Sequence, residues 1–284
     1  MAATNEEREE LCQAMVLSLH PSGKFFAVGT NHGYILLFKL NEQHPIQVVI
    51  CNNNTLLFFG MCDHNMFSAG VRNALKFSKD GRLMLAASVD GSVSVWDIVL
   101  NGQDENTTMH CLLRHRFFLE RAGHKSLEFF ITNKNVKTQA RGRAKPPKVS
   151  FAEFNADNSH ILACGERGIV NVFRISDKTL FTHFSRHSKT VTMCRTHPID
   201  PRVGISGDNR GRLVIWDMID GSIIKMFSVS PINPITDIAM SPDGNYIGVL
   251  CGQDQQFFEY DFEPFKRDEM MRYVVDTYIL LAFF

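Results

Sequence analysis

The sequence predicts an all-β propeller of repeated blades, five of them recognisable, on three observations. One segment grammar recurs in phase: an alternating apolar strand, a turn rich in Pro, Asp, Asn and Gly, a second apolar strand, a Gly-containing tight turn, and a third strand ending in an aromatic residue. The last three aromatic markers, Phe173, Trp216 and Tyr260, lie 43 and 44 residues apart, the period of a four-stranded blade. Two copies end in a literal Trp-Asp, at Trp96-Asp97 and Trp216-Asp217, which makes the class a WD-repeat β-propeller.

The copies run Ala14–Leu40, Val71–Ile98, Lys148–Ile175, Val191–Met218 and Ile235–Phe262. From Phe38 to Trp96 is 58 residues, which leaves room for a long outer strand and loop around Cys51–Asn65. From Trp96 to Phe173 is 77 residues, which implies an insertion at about 99–147. The organisation is then a polar N-terminal segment at 1–13, the propeller at 14–262 and a C-terminal tail at 263–284. The tail starts as a charged exit, EPFKRDEMMR; its final VVDTYILLAFF reads either as a closing strand or as the apolar end of a truncated chain. Pro21-Ser22-Gly23, Lys79-Asp80-Gly81 and Pro242-Asp243-Gly244 supply the fixed φ, side-chain bonding and positive φ of tight reversals. Ser92 to Trp96 alternates small polar and apolar residues, as stacked sheets require. A generic β-sandwich would not repeat five times in phase, though counting the blades makes an incomplete propeller the better description.

Composition excludes several function classes. The chain has 284 residues, 44% apolar and 21% charged, enough for one large core. Thirty basic residues balance thirty acidic ones, so no overall field draws it to nucleic acid or to an anionic membrane. The seven cysteines are scattered without a CxxC pair, as reduced, mostly buried thiols of an intracellular protein are. The acidic start MAATNEEREEL is unlike a secretory signal, and YILLAFF is too short to span a bilayer, so no membrane partner is expected. The stretch 133–148, NKNVKTQARGRAKPPK, carries six Lys or Arg and no acid; it is the one route to direct nucleic-acid contact, but a solvated loop is the favoured reading. No HExxH, GxSxG, phosphate loop or Cys/His cluster is found, so neither catalysis, metal nor cofactor is expected.

Two groups of residues are singled out. WD blades are commonly held by a relay of His, Ser or Thr, Asp and Trp, because a buried indole N–H and hydroxyl each need a partner. The second blade offers Ser88, Asp90 and Trp96 without a His; the fourth offers His187, Ser206, Trp216 and Asp217. In the fourth, Arg210 stands where the acid belongs, so either Asp208 substitutes or the relay is open. The partner-facing candidates are the turns after each second strand: Asn31, His32, Arg167, Asp208, Asn209 and Arg210, with Asp90 and Asp254 at the equivalent turns. Arg167 and Arg210 occupy positions usually acidic, and arginine is favoured in binding hot spots and on carboxylates or phosphates.

His197-Pro198-Ile199-Asp200-Pro201-Arg202-Val203, Gly211 to Asp217 and Gly221 resemble a late blade of the bromodomain and WD-repeat-containing family, which includes PH-interacting protein. Lys148 to Phe173 and Met240-Ser241-Pro242-Asp243-Gly244 resemble its neighbouring blades in the same order, and the insertion sits where that family has one. The family has further blades before these, and its bromodomains find no counterpart here. The resemblance implies a non-catalytic scaffold of a nuclear, chromatin- or transcription-linked complex whose partners are proteins; a cytoplasmic placement is the alternative. It also admits a substrate receptor of a cullin-RING ubiquitin ligase or a subunit of an RNA-processing or export assembly. The adaptor-docking pattern is incomplete: Asp90 fits but Val99 stands at the Arg position, and the fourth blade has Arg210 and Ile219 at the two places.

Overall fold

In each repeat the computed structural model, which describes residues 13–50, 74–88, 90–102, 107–119, 147–184, 186–252, 256–261 and 272–274, adds a fourth strand to the three that the sequence predicts. Blade 1 comprises β1 (Ala14–Leu19), β2 (Phe25–Thr30), β3 (Tyr34–Lys39) and β4 (Gln47–Ile50). Blade 2 comprises β5 (Ala74–Phe77), β6 (Leu83–Ala87), β7 (Ser92–Asn101) and β8 (Thr108–Phe118). Blade 3 follows with β9 (Val149–Phe154), β10 (His160–Gly165), β11 (Val170–Arg174) and β12 (Thr179–Phe184), and blade 4 with β13 (Val191–Thr196), β14 (Val203–Asp208), β15 (Arg212–Asp217) and β16 (Ile223–Ser228). Blade 5 is β17 (Ile235–Met240), β18 (Tyr246–Cys251), β19 (Gln256–Asp261) and β20 (Arg272–Val274). Every sheet is an antiparallel meander in chain order. The blades group into two compact units, Met1–Arg116 with blades 1 and 2 and Phe117–Phe284 with blades 3 to 5.

Two boundaries differ from the sequence reading. Residues 99–119 of the expected insertion contain the end of β7 and all of β8, in which Met109 and Cys111 point inward while His110 and Leu112 point out. The alternation was obscured by the basic run Arg114-His115-Arg116. Within the expected tail, Arg272–Val274 pairs with β19 as the fourth strand of blade 5. The rest of both stretches, most of the basic 133–148 segment, Asp254, Cys12, Cys51 and Cys62 lie outside the described residues.

Burial follows strand order. β6 and β14 are buried along their whole length, and they read as small and apolar residues up to Asp208, which ends β14. The outer strands β12 and β16 are mostly half-buried, and hence mixed in character. Cys111, Cys164, Cys194 and Cys251 are buried thiols outside any disulfide, and burial pushes the Cys111 thiol up to about 12.

Side chains knit neighbouring blades where the first strand of each would otherwise present an unpaired edge. Thr192 on β13 donates to the Ile235 carbonyl of β17 at 2.5 Å, and Thr196 donates to the Phe154 carbonyl of β9 at 2.7 Å. Arg195 donates through Nε to the Ile238 carbonyl at 2.6 Å and pairs with Asp237 at 3.1 Å, while Glu153 lies 3.8 Å away on its other side. This charged row, Glu153–Arg195–Asp237, joins blades 3, 4 and 5. The residue opening the first turn of a blade adds a clasp. His20 Nδ1 accepts the Ser22 N–H, which leaves Nε2–H to donate to the Gly81 carbonyl of blade 2 at 3.0 Å. His197 repeats the device on Gly244 of blade 5 at 3.2 Å, and Asn155 of blade 3 donates to the Pro201 carbonyl of blade 4 at 3.1 Å.

Candidate functional site

Blade 4 carries a closed relay. Trp216 Nε1–H donates to Ser206 Oγ at 2.6 Å, Ser206 Oγ–H donates to His187 Nε2 at 2.7 Å, and His187 Nδ1–H donates to Asp208 Oδ2 at 2.9 Å. In this chain of bonds Nδ1 carries the donated proton and Nε2 is the acceptor. All four residues are buried, and Phe184 stacks on Trp216 at 4.3 Å between ring centroids. Asp208 Oδ1 also accepts the backbone N–H groups of Arg210 and Arg212 at 2.9 and 3.0 Å. Burial by itself would raise the Asp208 carboxyl, but the His187 bond and these two N–H groups outweigh it and hold the group below the ordinary aspartate value.

The relay corrects two assignments. Asp208, expected at the partner surface, is 1% exposed and closes the relay. It does so because the carboxylate moves two residues earlier than expected, from the position of Arg210 to the end of β14. In blade 2 the matched set fails by register. Gly204 faces Trp216 and Ser206 faces Val214 in blade 4, whereas Met84 faces Trp96 and Ala86 faces Ser94 in blade 2. Ala86 therefore holds the place of Ser206, and Ser88 that of Asp208. Among the described residues the buried Trp96 Nε1 has no acceptor. Asp90 instead caps its own turn, accepting the Ser92 N–H and hydroxyl at 2.9 and 2.6 Å. Ala86→Ser is expected to stabilise the first unit by about 0.5–1.5 kcal/mol by supplying that acceptor, read as a rise in its unfolding midpoint. The two Trp-Asp aspartates behave alike: Asp217 pairs with Arg202 and Asp97 pairs with Arg114.

His187 also fixes a surface. It lies in the loop between β12 and β13, and this loop is held between two turns. A Cβ on Gly168, in the turn after β10, would lie 2.0 Å from the His187 carbonyl, and Asn209, in the turn after β14, donates its N–H to the Thr190 carbonyl at 3.0 Å. Arg167, Arg186, Lys189, Asn209 and Arg210 are all exposed around this loop. Arg167 sits at φ 64 in a short 3-10 turn, Glu166–Gly168. The structure thus gathers Arg167, Asn209 and Arg210 in one place and adds Arg186 and Lys189, which the sequence reading missed although they flank the relay histidine. Asn31 and His32 belong to the first unit and are half-buried; Asn31 Oδ1 accepts the Gln13 N–H at 2.9 Å. Among the described residues, no group of three or more His, Cys, Asp or Glu side chains could hold a metal ion, and no helix is long and apolar enough to cross a membrane.

Residues 57–97 match the WD domain, G-beta repeat family. That stretch is a WD repeat. The chain is similar to a WD repeat-containing protein WDS homolog of Arabidopsis thaliana, 24% identical over 174 residues, covering 60% of this chain and 27% of that protein. It is similar also to a bromodomain and WD repeat-containing protein of Dictyostelium discoideum, 23% identical over 227 residues, covering 69% of this chain and 9% of that protein. The chain thus spans about a quarter and under a tenth of the two relatives' lengths. A chain in the crystal structure of the mitotic checkpoint complex superposes with a TM-score of 0.65 at 13% identity, covering 94% of this chain and 65% of that one. The fold is accordingly all-β and of the WD-repeat β-propeller class, with five four-stranded blades among the described residues. WD-repeat propellers generally act as non-catalytic surfaces on which proteins assemble.

Proposed function

We propose that this WD-repeat chain is a non-catalytic scaffold of a nuclear, chromatin- or transcription-linked complex, and that it holds a protein partner on the turn face of blades 3 and 4. One observation carries the reading: exposed cations from two turns and one loop converge on a surface that a buried relay keeps rigid. Surfaces built on a fixed scaffold hold their contacts without an ordering cost, which favours binding. The nuclear setting rests on likeness to the bromodomain and WD repeat-containing protein. The other residues singled out at the turns, Asn31 and His32, would serve any second contact on blade 1.

The test is affinity purification of the full chain from RNase-treated nuclear extract, with and without Arg167→Ala plus Arg210→Ala. Both side chains are exposed, so the double variant is expected to keep the wild-type unfolding midpoint while its recovery of protein partners falls at least about tenfold. Partners recovered equally by both chains, or lost on RNase treatment, would overturn the proposal.

A further inference from the structure

We infer that the turn face of blades 3 and 4 is a docking site for an acidic protein segment, rich in Asp and Glu. This rests on reading that face as the partner surface and names the chemistry of what it takes. Arg186 and Lys189 stand on either side of His187, in the loop that packs against Gly168 of one turn and accepts the Asn209 N–H of the other. Arg167 and Arg210 come from those two turns. Four cations are therefore carried by three adjacent segments whose backbones are in contact.

Their lack of counter-ions, joined to their grouping on three adjoining segments, distinguishes them. Arg114 pairs with Asp97, Arg174 with Asp177, Arg202 with Asp217, Arg195 with Asp237, Lys39 with Glu42 and Lys148 with Glu166. Arg167, Arg186, Lys189 and Arg210 have no side-chain partner among the described residues. Basic and acidic residues are equal in number over the chain, so a cluster of one sign is no by-product of a basic composition. The nearby acids are already engaged: Asp208 turns inward to His187, and Glu166 accepts the Lys148 N–H and pairs with its ammonium.

The arrangement suits carboxylates better than a nucleic-acid strand. Guanidinium groups take carboxylates in a bidentate fork, and the exposed Asn209 amide can bond the backbone of an extended segment. Single-stranded nucleic acid needs aromatic faces for its bases, and here Phe184 is buried beneath the loop against Trp216.

Fluorescence anisotropy of the full chain tests the inference with three labelled probes: a peptide with a run of glutamates, its glutamine counterpart, and a single-stranded oligothymidine. The glutamate peptide is expected to bind, more weakly as salt is raised, and the glutamine peptide not to. Arg186→Ala plus Lys189→Ala is expected to weaken binding about tenfold, while Lys178→Gln, on the exposed turn between β11 and β12, leaves it unchanged. Equal binding of both peptides, equal weakening by Lys178→Gln, or tighter binding of oligothymidine through the same residues would overturn it. If the glutamate peptide fails to bind while Arg167→Ala plus Arg210→Ala still abolishes co-purification, the partner surface stands and only the acidic chemistry falls.

Discussion

Replacing His187 with alanine is expected to lower the unfolding free energy of blades 3 to 5 by about 1–3 kcal/mol, the usual cost of leaving buried hydrogen-bonding groups unsatisfied. The substitution removes the donor to Asp208 Oδ2 and the acceptor of the Ser206 hydroxyl together. It also frees the loop between β12 and β13, so trypsin should cut after Arg186 and Lys189 in the variant under conditions that spare the wild type. Chemical denaturation followed by Trp216 fluorescence gives the energy, and mass mapping of the digest gives the loop. A variant within about 0.5 kcal/mol of wild type and equally resistant at both sites would show that the relay is ornamental.

The same carboxylate makes a pH dependence. Asp208 is held below its ordinary value in the fold, so its contribution is complete above the unfolded-state value of about 3.9 and is lost as pH falls through the lower folded value. Asp208→Asn should therefore flatten part of the acid limb of the stability curve below about pH 4. The remainder belongs to turn aspartates such as Asp157 and Asp243, which hydrogen bonds from Ser159 and Ser241 also hold low.

Gly168→Ala has the second large effect, about 2–4 kcal/mol from clash and backbone strain combined. The glycine adopts φ +74, and its Cβ would meet the His187 carbonyl at 2.0 Å and the Lys189 carbonyl at 3.2 Å. Those atoms belong to backbone, so relief requires the loop to move away from the turn. Gly23→Ala is the internal comparison. Gly23 has φ +68 with nothing within 4 Å of the added Cβ, so only the conformational cost of about 1 kcal/mol remains. Thermal unfolding of the two variants separates steric contact from backbone preference; equal losses would contradict the packing described for Gly168.

Much of this organisation is legible in the sequence because a blade repeats its physics. The first three strands of each copy alternate or run apolar according to the faces they bury, and the turns at Gly23, Gly81 and Gly244 announce themselves by residue type. The outer strands are not legible, since Thr179–Phe184 and Ile223–Ser228 are half-exposed edge strands with no strong period. The relay was legible in its donors, His187 and Trp216, but the acid depended on a two-residue displacement along β14. In blade 2, Ser88 was matched to Trp96, but the spacing of Ser206 to Trp216 falls on Ala86, and cross-strand register places Ala86 where a hydroxyl is needed. Arg186 and Lys189 were hidden for another reason: the loop that carries them gains meaning only once His187 pins it between two turns. The row Glu153–Arg195–Asp237 likewise joins three separate repeats, a relation that no single strand pattern displays.

Hydrogen–deuterium exchange of the full chain, alone and with its captured protein partner, tests the central claim most directly. Partner binding at the turn face predicts slowed exchange in peptides spanning 166–168, 186–190 and 208–211, with the outer strands β12 and β16 unchanged. Protection confined to the outer strands, or unchanged exchange across all three turn segments, would contradict it.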